Sequence, residues 1–321
     1  MRIFRHFDTL PDDARGASVA IGNFDGVHPG HRAVISEAGL IARDEGVPWA
    51  VLTFEPHPRQ LFAPNQAPFR LTPFRAKARE IEAMGVDMLI VQRFNKAFSE
   101  MEAQDFVRDA LVGGLGAHHL VSGYDFVFGH NRSGHCDLLL TMGEKEGFGF
   151  TAVSALLDDT GEAYSSTRVR DRLKQGDLAG AAEILGRDFE LSGRVAHGEK
   201  RGRDLGFPTA NIHLGRHIRP NNGVYAVRVL IGDGLKDATR PHWRDGVANI
   251  GSRPTFGGDG VVLEVFLFDF GEDLYGKRLR VRLIDHLRDE KKFDGLDALK
   301  AQIALDTEMA KKILAATEKS I

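Results

Sequence analysis

Hydrophobic and polar positions follow two different rhythms along this chain, and the change falls near Leu185. Before it, short apolar runs alternate with segments of helical period. Ser18 to Gly22 (SVAIG) reads as a buried strand. From Gly30 the apolar positions Val34, Ala38, Ile41 and Ala42 keep a helical spacing that stops at Gly46. WAVLTF (49–54) and MLIV (88–91) are the next strands. DFVRDALVGGLG (105–116) predicts a helix, HHLVSG (118–123) a strand, CDLLLTMGEKEG (136–147) a helix and GFTAVSALL (149–157) a closing strand. Strands alternating with helices predict a doubly wound parallel sheet, which binds ligands at the carboxyl ends of its strands.

After Leu185 the strand-like runs follow one another. ELSGRVAHG (190–198), GVYAVRVLIG (223–232), DGVANIG (245–251), VVLEVFLFDF (261–270) and KRLRVRLIDHL (277–287) are separated by Gly, Pro and Asp turns. That rhythm predicts a small antiparallel β-barrel. The segment 296–314 then places Leu296, Leu299, Ile303, Met309 and Ile313 on one helical stripe, which predicts a terminal helix covering the barrel. The expected division is 1–185 and 186–321, with the junction in LGRDFE (185–190).

Composition narrows the classes. A chain of 321 residues is long for one domain. With 42% hydrophobic residues, 27% charged residues and a net charge of -3, it offers no global attraction to nucleic acid or an anionic membrane, so any phosphate must be held by local groups. The single cysteine, Cys136, excludes an internal disulfide and fits a reducing compartment. The start, MRIFRHFDTLPDDARG, lacks the apolar core of a signal peptide, and no run approaches the roughly 20 apolar residues of a membrane span. The expectation is a soluble cytoplasmic protein.

The first chemistry-bearing stretch is GNFDGVHPGH (22–31). Its glycines permit a tight turn and close approach to a ligand, and Pro29 suits the first turn of a helix. His28 and His31, three apart beside a helix start, can donate to phosphate oxygens. Two surface histidines at a turn would read the same way. A metal site is the weaker reading, because no Cys or carboxylate cluster completes a ligand set nearby.

GNFDGVHPGH resembles the HxGH signature of nucleotidylyltransferases, in the form seen in bacterial bifunctional riboflavin kinase/FAD synthetases. TFEPHP (53–58), SGYDFVFG (122–129) and SSTRVR (165–170) resemble that family's next blocks, in order. Taken alone, SSTRVR is also a plain N-capped helix start, and TFEPHP a strand entering a proline-stiffened loop. The resemblance implies transfer of AMP from ATP to FMN, giving FAD and pyrophosphate. It assigns His28 and His31 to the ATP phosphates as catalytic groups, in a loop of Gly22, Asn23, Phe24, Asp25 and Gly30. Ser166, Thr167 and Arg168 are expected at the β- and γ-phosphates, with Arg170 either the key cation there or a surface charge. Phe54, Pro56, His57, Pro58, Asp125 and Phe128 are the expected flavin contacts, although Asp125 stands where some members carry Asn. No GxxxxGK[ST] sequence occurs, which removes the P-loop route to ATP.

In the second half, RVAHGEKRGRDLGFPTANI (194–212) joins basic residues and glycines to Pro208, Thr209, Ala210 and Asn211. Glycines with basic groups can wrap phosphates, and Thr and Asn offer oxygen ligands to Mg²⁺; a flexible basic loop before a strand is the bland alternative. GFPTAN is similar to the PTAN motif of riboflavin kinases, and NGVYAV, ANIGSRPTF, LEVFLFDF and LYGKRLRVRLIDHLRDEKKF follow in the family's order. The resemblance makes Thr209 and Asn211 ligands of Mg²⁺–ATP, with Pro208 beside them and Gly198 and Arg201 to Gly206 as a phosphate flap. Glu264 shares a strand face with Val262, Phe266 and Phe268. A carboxylate on an apolar face is costly unless put to use, and its pKa is expected to rise, which suits a general base; an edge carboxylate facing water is the alternative. The family match favours the base, activating the ribityl 5′-hydroxyl of riboflavin. Asn249, Arg288 and Phe293 are expected at that flavin, against a solvated charge run for the last two.

The expected ligands are therefore ATP, Mg²⁺, riboflavin, FMN and FAD, with no nucleic acid or membrane partner and a monomer or weak homo-oligomer as the assembly. Two rivals stay open here: a single-activity FAD synthetase whose barrel only senses flavin, and a flavin-dependent RNA-binding regulator. The insert-like segment 232–246 has no functional account.

Overall fold

The computed structural model describes residues 1–196, 207–232, 242–252 and 261–317. The chain divides into two compact units: Met1–Ala67 with Thr72–Ser166, and Pro68–Leu71 with the chain from Thr167 onward.

The first unit is built on β1 (Arg2–Arg5), β2 (Ser18–Ile21), β3 (Trp49–Glu55), β4 (Met88–Arg93), β5 (His119–Gly123) and β6 (Gly149–Val153). All pairings are parallel, in the order β1-β4-β3-β2-β5-β6. Both faces are buried. Val19, Ile21, Leu52 and Ile90 pack on one side with Phe106, Leu111 and Leu139; Ala20, Val51 and Leu89 pack on the other with Val34, Ile35 and Ala38. Burial on two faces is why these strands read as continuous apolar runs. The doubly wound prediction holds. The chain steps from β2 to β3 on one side and later reaches β5 on the other, so the strand order reverses at β2, where such sheets form a crevice.

Local signals set the ends of the helix Pro29–Glu45. His28 is the N-cap, Pro29 occupies the first turn, and Gly46 ends it with φ +67°. Two expectations are corrected. Strand β6 stops at Val153, four residues before the predicted end, because Leu156 and Leu157 turn out to solvent in a separate bridge of Leu157 with Ala163. Strand β1 was absent from the apolar pattern: its Arg2 and Arg5 are exposed, and it sits at the sheet edge.

The second unit contains a closed barrel of order β10-β11-β8-β7-β12-β9. Its strands are β7 (Phe189–Ala196), β8 (Ala210–His213), β9 (Gly223–Ile231), β10 (Arg244–Ser252), β11 (Val261–Leu267) and β12 (Arg278–Arg288), all antiparallel. On β12 the buried Leu279, Val281 and Leu283 alternate with Arg278, Arg280 and Arg282, and Arg280 is held by Glu190 at 2.7 and 2.9 Å. The terminal helix Leu296–Thr317 lies on β9, β10 and β12, as predicted. Its buried stripe is only partly the predicted one: Leu299, Ile303 and Ile313 are half-buried, with Ile313 packed on the barrel cluster. Asp306, Ala310 and Leu314 face the barrel, while Leu296 and Met309 are 63% and 51% exposed. The reason is an ion pair that an apolar count cannot see: Asp306 accepts Nε of Arg288 at 2.9 Å and Nη2 at 2.8 Å, so a carboxylate heads the buried stripe.

Candidate active sites

The loop after β2 is shaped by backbone. Phe24 and Val27 both have positive φ, +47° and +46°, a conformation that side chains, and β-branched ones above all, rarely adopt. A Cβ at Gly22 would lie 2.9 Å from the Phe24 ring, so a larger residue there requires that ring to shift. The strained turn delivers His28 to the helix start. The His31 backbone N–H donates to His28 Nδ1 at 3.3 Å, and the two rings stack with centroids 3.6 Å apart at 22°. Because Nδ1 accepts, neutral His28 carries its proton on Nε2 and is a donor through that nitrogen. Phe24 buttresses the His31 ring edge-on at 5.5 Å.

Asp25 is buried and acts inside the loop. Its Oδ1 accepts from the Thr72 backbone at 3.0 Å and its carbonyl from Ser166 Oγ at 2.7 Å, while Gly26 N–H donates to Thr72 Oγ1 at 2.8 Å. Ser166 begins the helix Ser166–Lys174, whose first turn carries exposed Thr167 and half-buried Arg168. Arg170 donates to the Phe69 carbonyl at 3.0 Å and lies over the Phe69 ring at 5.4 Å. That guanidinium is a structural tie to the 68–71 segment.

At the end of β3 the chain opens a cavity of about 920 Å³, inside the range usual for small-ligand sites. Of the predicted flavin contacts, Phe54, Pro58 and Phe128 line it, as does Asn23. Pro56 precedes it, and His57 caps the helix Pro58–Phe62, accepting from Arg59 N–H at 3.1 Å. Asp125 is exposed and outside the lining. The pattern missed most of the aromatic wall. Phe62, Phe94, Phe98, Phe106 and Phe126 join Phe54 and Phe128 in ring contacts of 5.5–6.1 Å. The available signal was a chain holding 21 phenylalanines, several two or four apart around strand ends.

In the barrel, Asn211 on β8 and Asn249 on β10 both stand in register with Glu264 on β11. In-register residues of antiparallel neighbours share a face, about 5 Å apart. Glu264 is half-buried, and Phe266, two residues on along the same strand face, packs against the cluster of Ala226, Val247, Ala310 and Leu314. Pro208, Thr209 and Asn211 line a second cavity of about 390 Å³ with Phe270, Glu272 and Asp273. Arg288 is committed to Asp306 and lies 5.7 Å from the Phe293 ring centroid, and Asn249 Nδ2 donates weakly to Glu290 Oε1 at 3.5 Å. Gly198, Arg201 and Gly206, with the rest of the expected flap, lie outside the described residues. Burial of Tyr225, whose hydroxyl donates to the Asn221 carbonyl, pushes its phenol well above the usual range.

The geometry defines a class: a two-unit chain with a strained, histidine-bearing loop at the carboxyl end of a doubly wound sheet and a barrel carrying a carboxylate among amide side chains. Residues 10–168 match the FAD synthetase family and residues 185–314 the riboflavin kinase family. The bifunctional riboflavin kinase/FMN adenylyltransferase of Escherichia coli K12 is 44% identical over 99% of both chains, and that of Pseudomonas fluorescens 43% identical over 98% of both. A solved Streptococcus pneumoniae structure, described as a macrolide-efflux protein, matches with a TM-score of 0.81 and 29% identity over 97% of this chain and 99% of that one. The chain belongs to the bifunctional riboflavin kinase/FMN adenylyltransferase family. The reading in which the barrel only senses flavin is set aside by the kinase match. No helix among the described residues is long and apolar enough to cross a membrane.

Proposed function

We propose that the two activities use two separate phosphate sites, one at the loop after β2 and one at the barrel, on the residues assigned above. The chain is a riboflavin kinase and an FMN adenylyltransferase: it phosphorylates riboflavin to FMN and adenylates FMN to FAD, each with ATP. The functional domains are taken as 1–185 and 186–321.

In adenylyl transfer, an FMN phosphate oxygen attacks the α-phosphorus, the bond to the bridging oxygen breaks, and pyrophosphate leaves. Negative charge gathers on oxygens around that phosphorus, and fixed donors stabilise it. His28 Nε2, His31, Asn23 and the helix start at Gly30 supply them. Gly22, Phe24 and Asp25 shape the loop. Ser166, Thr167 and Arg168 hold the leaving pyrophosphate. The aromatic cavity takes the flavin ring against Phe54, Pro58 and Phe128, flanked by Pro56 and His57, while Asp125, outside that lining, would meet the flavin only beyond the cavity.

In the kinase, Glu264 accepts the proton of the 5′-hydroxyl as its oxygen attacks the γ-phosphorus and ADP leaves. Asn249 and Phe293, with Phe293 set against Arg288, contact the flavin. Gly198, Arg201, Gly206 and Pro208 enclose the phosphates. Thr209 and Asn211 share their cavity with Glu272 and Asp273, an all-oxygen set of the kind a hard divalent cation selects. Thr209 and Asn211 would hold Mg²⁺, which when bound neutralises phosphate charge. The working assembly is a monomer or weak homo-oligomer in the cytoplasm.

The observation that carries the kinase assignment is the in-register row Asn211–Glu264–Asn249. The test incubates the full chain with riboflavin, ATP and Mg²⁺ and separates the flavins over time. FMN rising before FAD is expected, with both steps failing in EDTA. FAD formed from FMN but no product from riboflavin would remove the kinase.

A further inference from the structure

A loop holding Phe24 and Val27 at positive φ must be propped from outside, since such backbone persists only where its surroundings over-determine it. The props come from one stretch, Thr72 to Lys77. Thr72 fixes Asp25 and Gly26, as described. Lys77, in the helix Phe74–Glu82, has 0% side-chain exposure. Its ammonium lies 3.1 Å from Glu55 Oε1 and donates to Thr53 Oγ1 at 3.0 Å. The Thr53 hydroxyl, itself buried, donates to the Asn23 carbonyl at 3.3 Å.

The direction of this chain is fixed by chemistry. An ammonium only donates, and a hydroxyl has one proton, so Thr53 accepts from Lys77 and gives to Asn23. Burying an ammonium is unfavourable even when paired, and methionine would fill similar space without that penalty. Lys77 is paired with Glu55, and its second bond, through Thr53, ends on the carbonyl of Asn23, which begins the loop and also lines the aromatic cavity.

We propose that Lys77 is a positioning residue for adenylyl transfer: through Thr53 it fixes Asn23, and with it the loop carrying His28 and His31. This rests on the assignment of the histidine pair to that reaction. The kinase in the same chain serves as an internal measure of the concentration of protein assayed.

The test compares Lys77→Met, Thr53→Val, Thr53→Ser and the double variant His28→Ala/His31→Ala, all in the full chain. Displacement of catalytic groups by about 1 Å costs on the order of 10²-fold, so kcat for FAD formation falls by about 10- to 10²-fold in Lys77→Met and Thr53→Val. The KM for ATP changes far less, Thr53→Ser restores most of the rate, and FMN formation is unaffected. Full adenylation by Thr53→Val, equal loss in Thr53→Val and Thr53→Ser, or a parallel decline of both activities overturns the proposal. If Lys77→Met does not fold, the Thr53 pair decides. If the double histidine variant still makes FAD, the histidine assignment fails; if it does not while Thr53→Val and Lys77→Met do, the Lys77 proposal alone fails.

Discussion

The two units face the same task, holding a triphosphate against a flavin, and equip themselves differently. The first offers stacked imidazoles, a helix start and a strained loop, and its one buried loop carboxylate, Asp25, is already engaged by Thr72. The second sets a carboxylate, Glu264, in a row with two amides. The nucleophiles explain the difference. The phosphate of FMN is largely ionised at neutral pH, with a second pKa near 6, and needs no base. The hydroxyl of riboflavin holds its proton until a base accepts it. On the proposed assignment, donors suffice in one unit and the other requires an acceptor.

The largest effect should follow loss of that acceptor. Glu264→Ala is expected to slow FMN formation by about 10²–10⁴-fold, with FAD formation from supplied FMN unchanged. Chromatographic assay of both products decides it, and near-normal FMN formation would erase the contrast between the units. His28→Ala/His31→Ala is the mirror case. Removing placed charge-stabilising donors costs about 10²-fold or more, so FAD formation should fall by that much while riboflavin is still phosphorylated. The reverse pattern, with FMN formation lost and adenylation kept, would mean the sites are exchanged.

A smaller effect sharpens the comparison on the flavin side. Phe98 touches Phe54, Phe94 and Phe106 at the wall of the large cavity. One aromatic contact contributes about 0.5–1.5 kcal/mol, so loss of a single Phe98–flavin contact in Phe98→Ala should raise the KM for FMN by roughly two- to tenfold. The KM for riboflavin in the kinase should not move. If it rises equally, the cavity is not the adenylyltransferase flavin site.

What the sequence made legible was whatever is local. The imidazole pair, Pro29 and Gly46 lie within one strand–loop–helix, so spacing alone located them. Five of the six barrel strands announced themselves by their turns; β8, four residues long, did not. The aromatic cavity was opaque because Phe54, Phe62, Phe94, Phe98, Phe106, Phe126 and Phe128 come from separate segments that only the sheet gathers at one end. The terminal helix misled because Asp306 counts as polar until Arg288 pairs with it. Lys77 reads as a solvated charge for the same reason: Glu55 and Thr53, its partners, lie more than twenty residues away.

The least effect concerns stability, and it distinguishes the units through one edge of the parallel sheet. His119, on β5, is half-buried, with Nε2 2.9 Å from Thr151 Oγ1 on β6. Burial, and next the neighbouring His118, holds its pKa below the ordinary 6.5, against a smaller opposing pull from Glu45 and Glu37. Its folded pKa is thus depressed relative to the unfolded chain. The stability it contributes is complete above about pH 6.5 and is lost as pH falls through the folded value, because the unfolded chain takes up the proton first. His119→Gln cannot titrate. With 13 histidines in the chain, only a difference is informative: the thermal midpoint measured from pH 7.5 downward should fall less steeply in the variant than in the unmodified protein. Both activities at pH 7.5 should be equal in the two, since His119 touches neither site. Parallel midpoint curves would show that the acid sensitivity of the first unit arises elsewhere than at this strand pair.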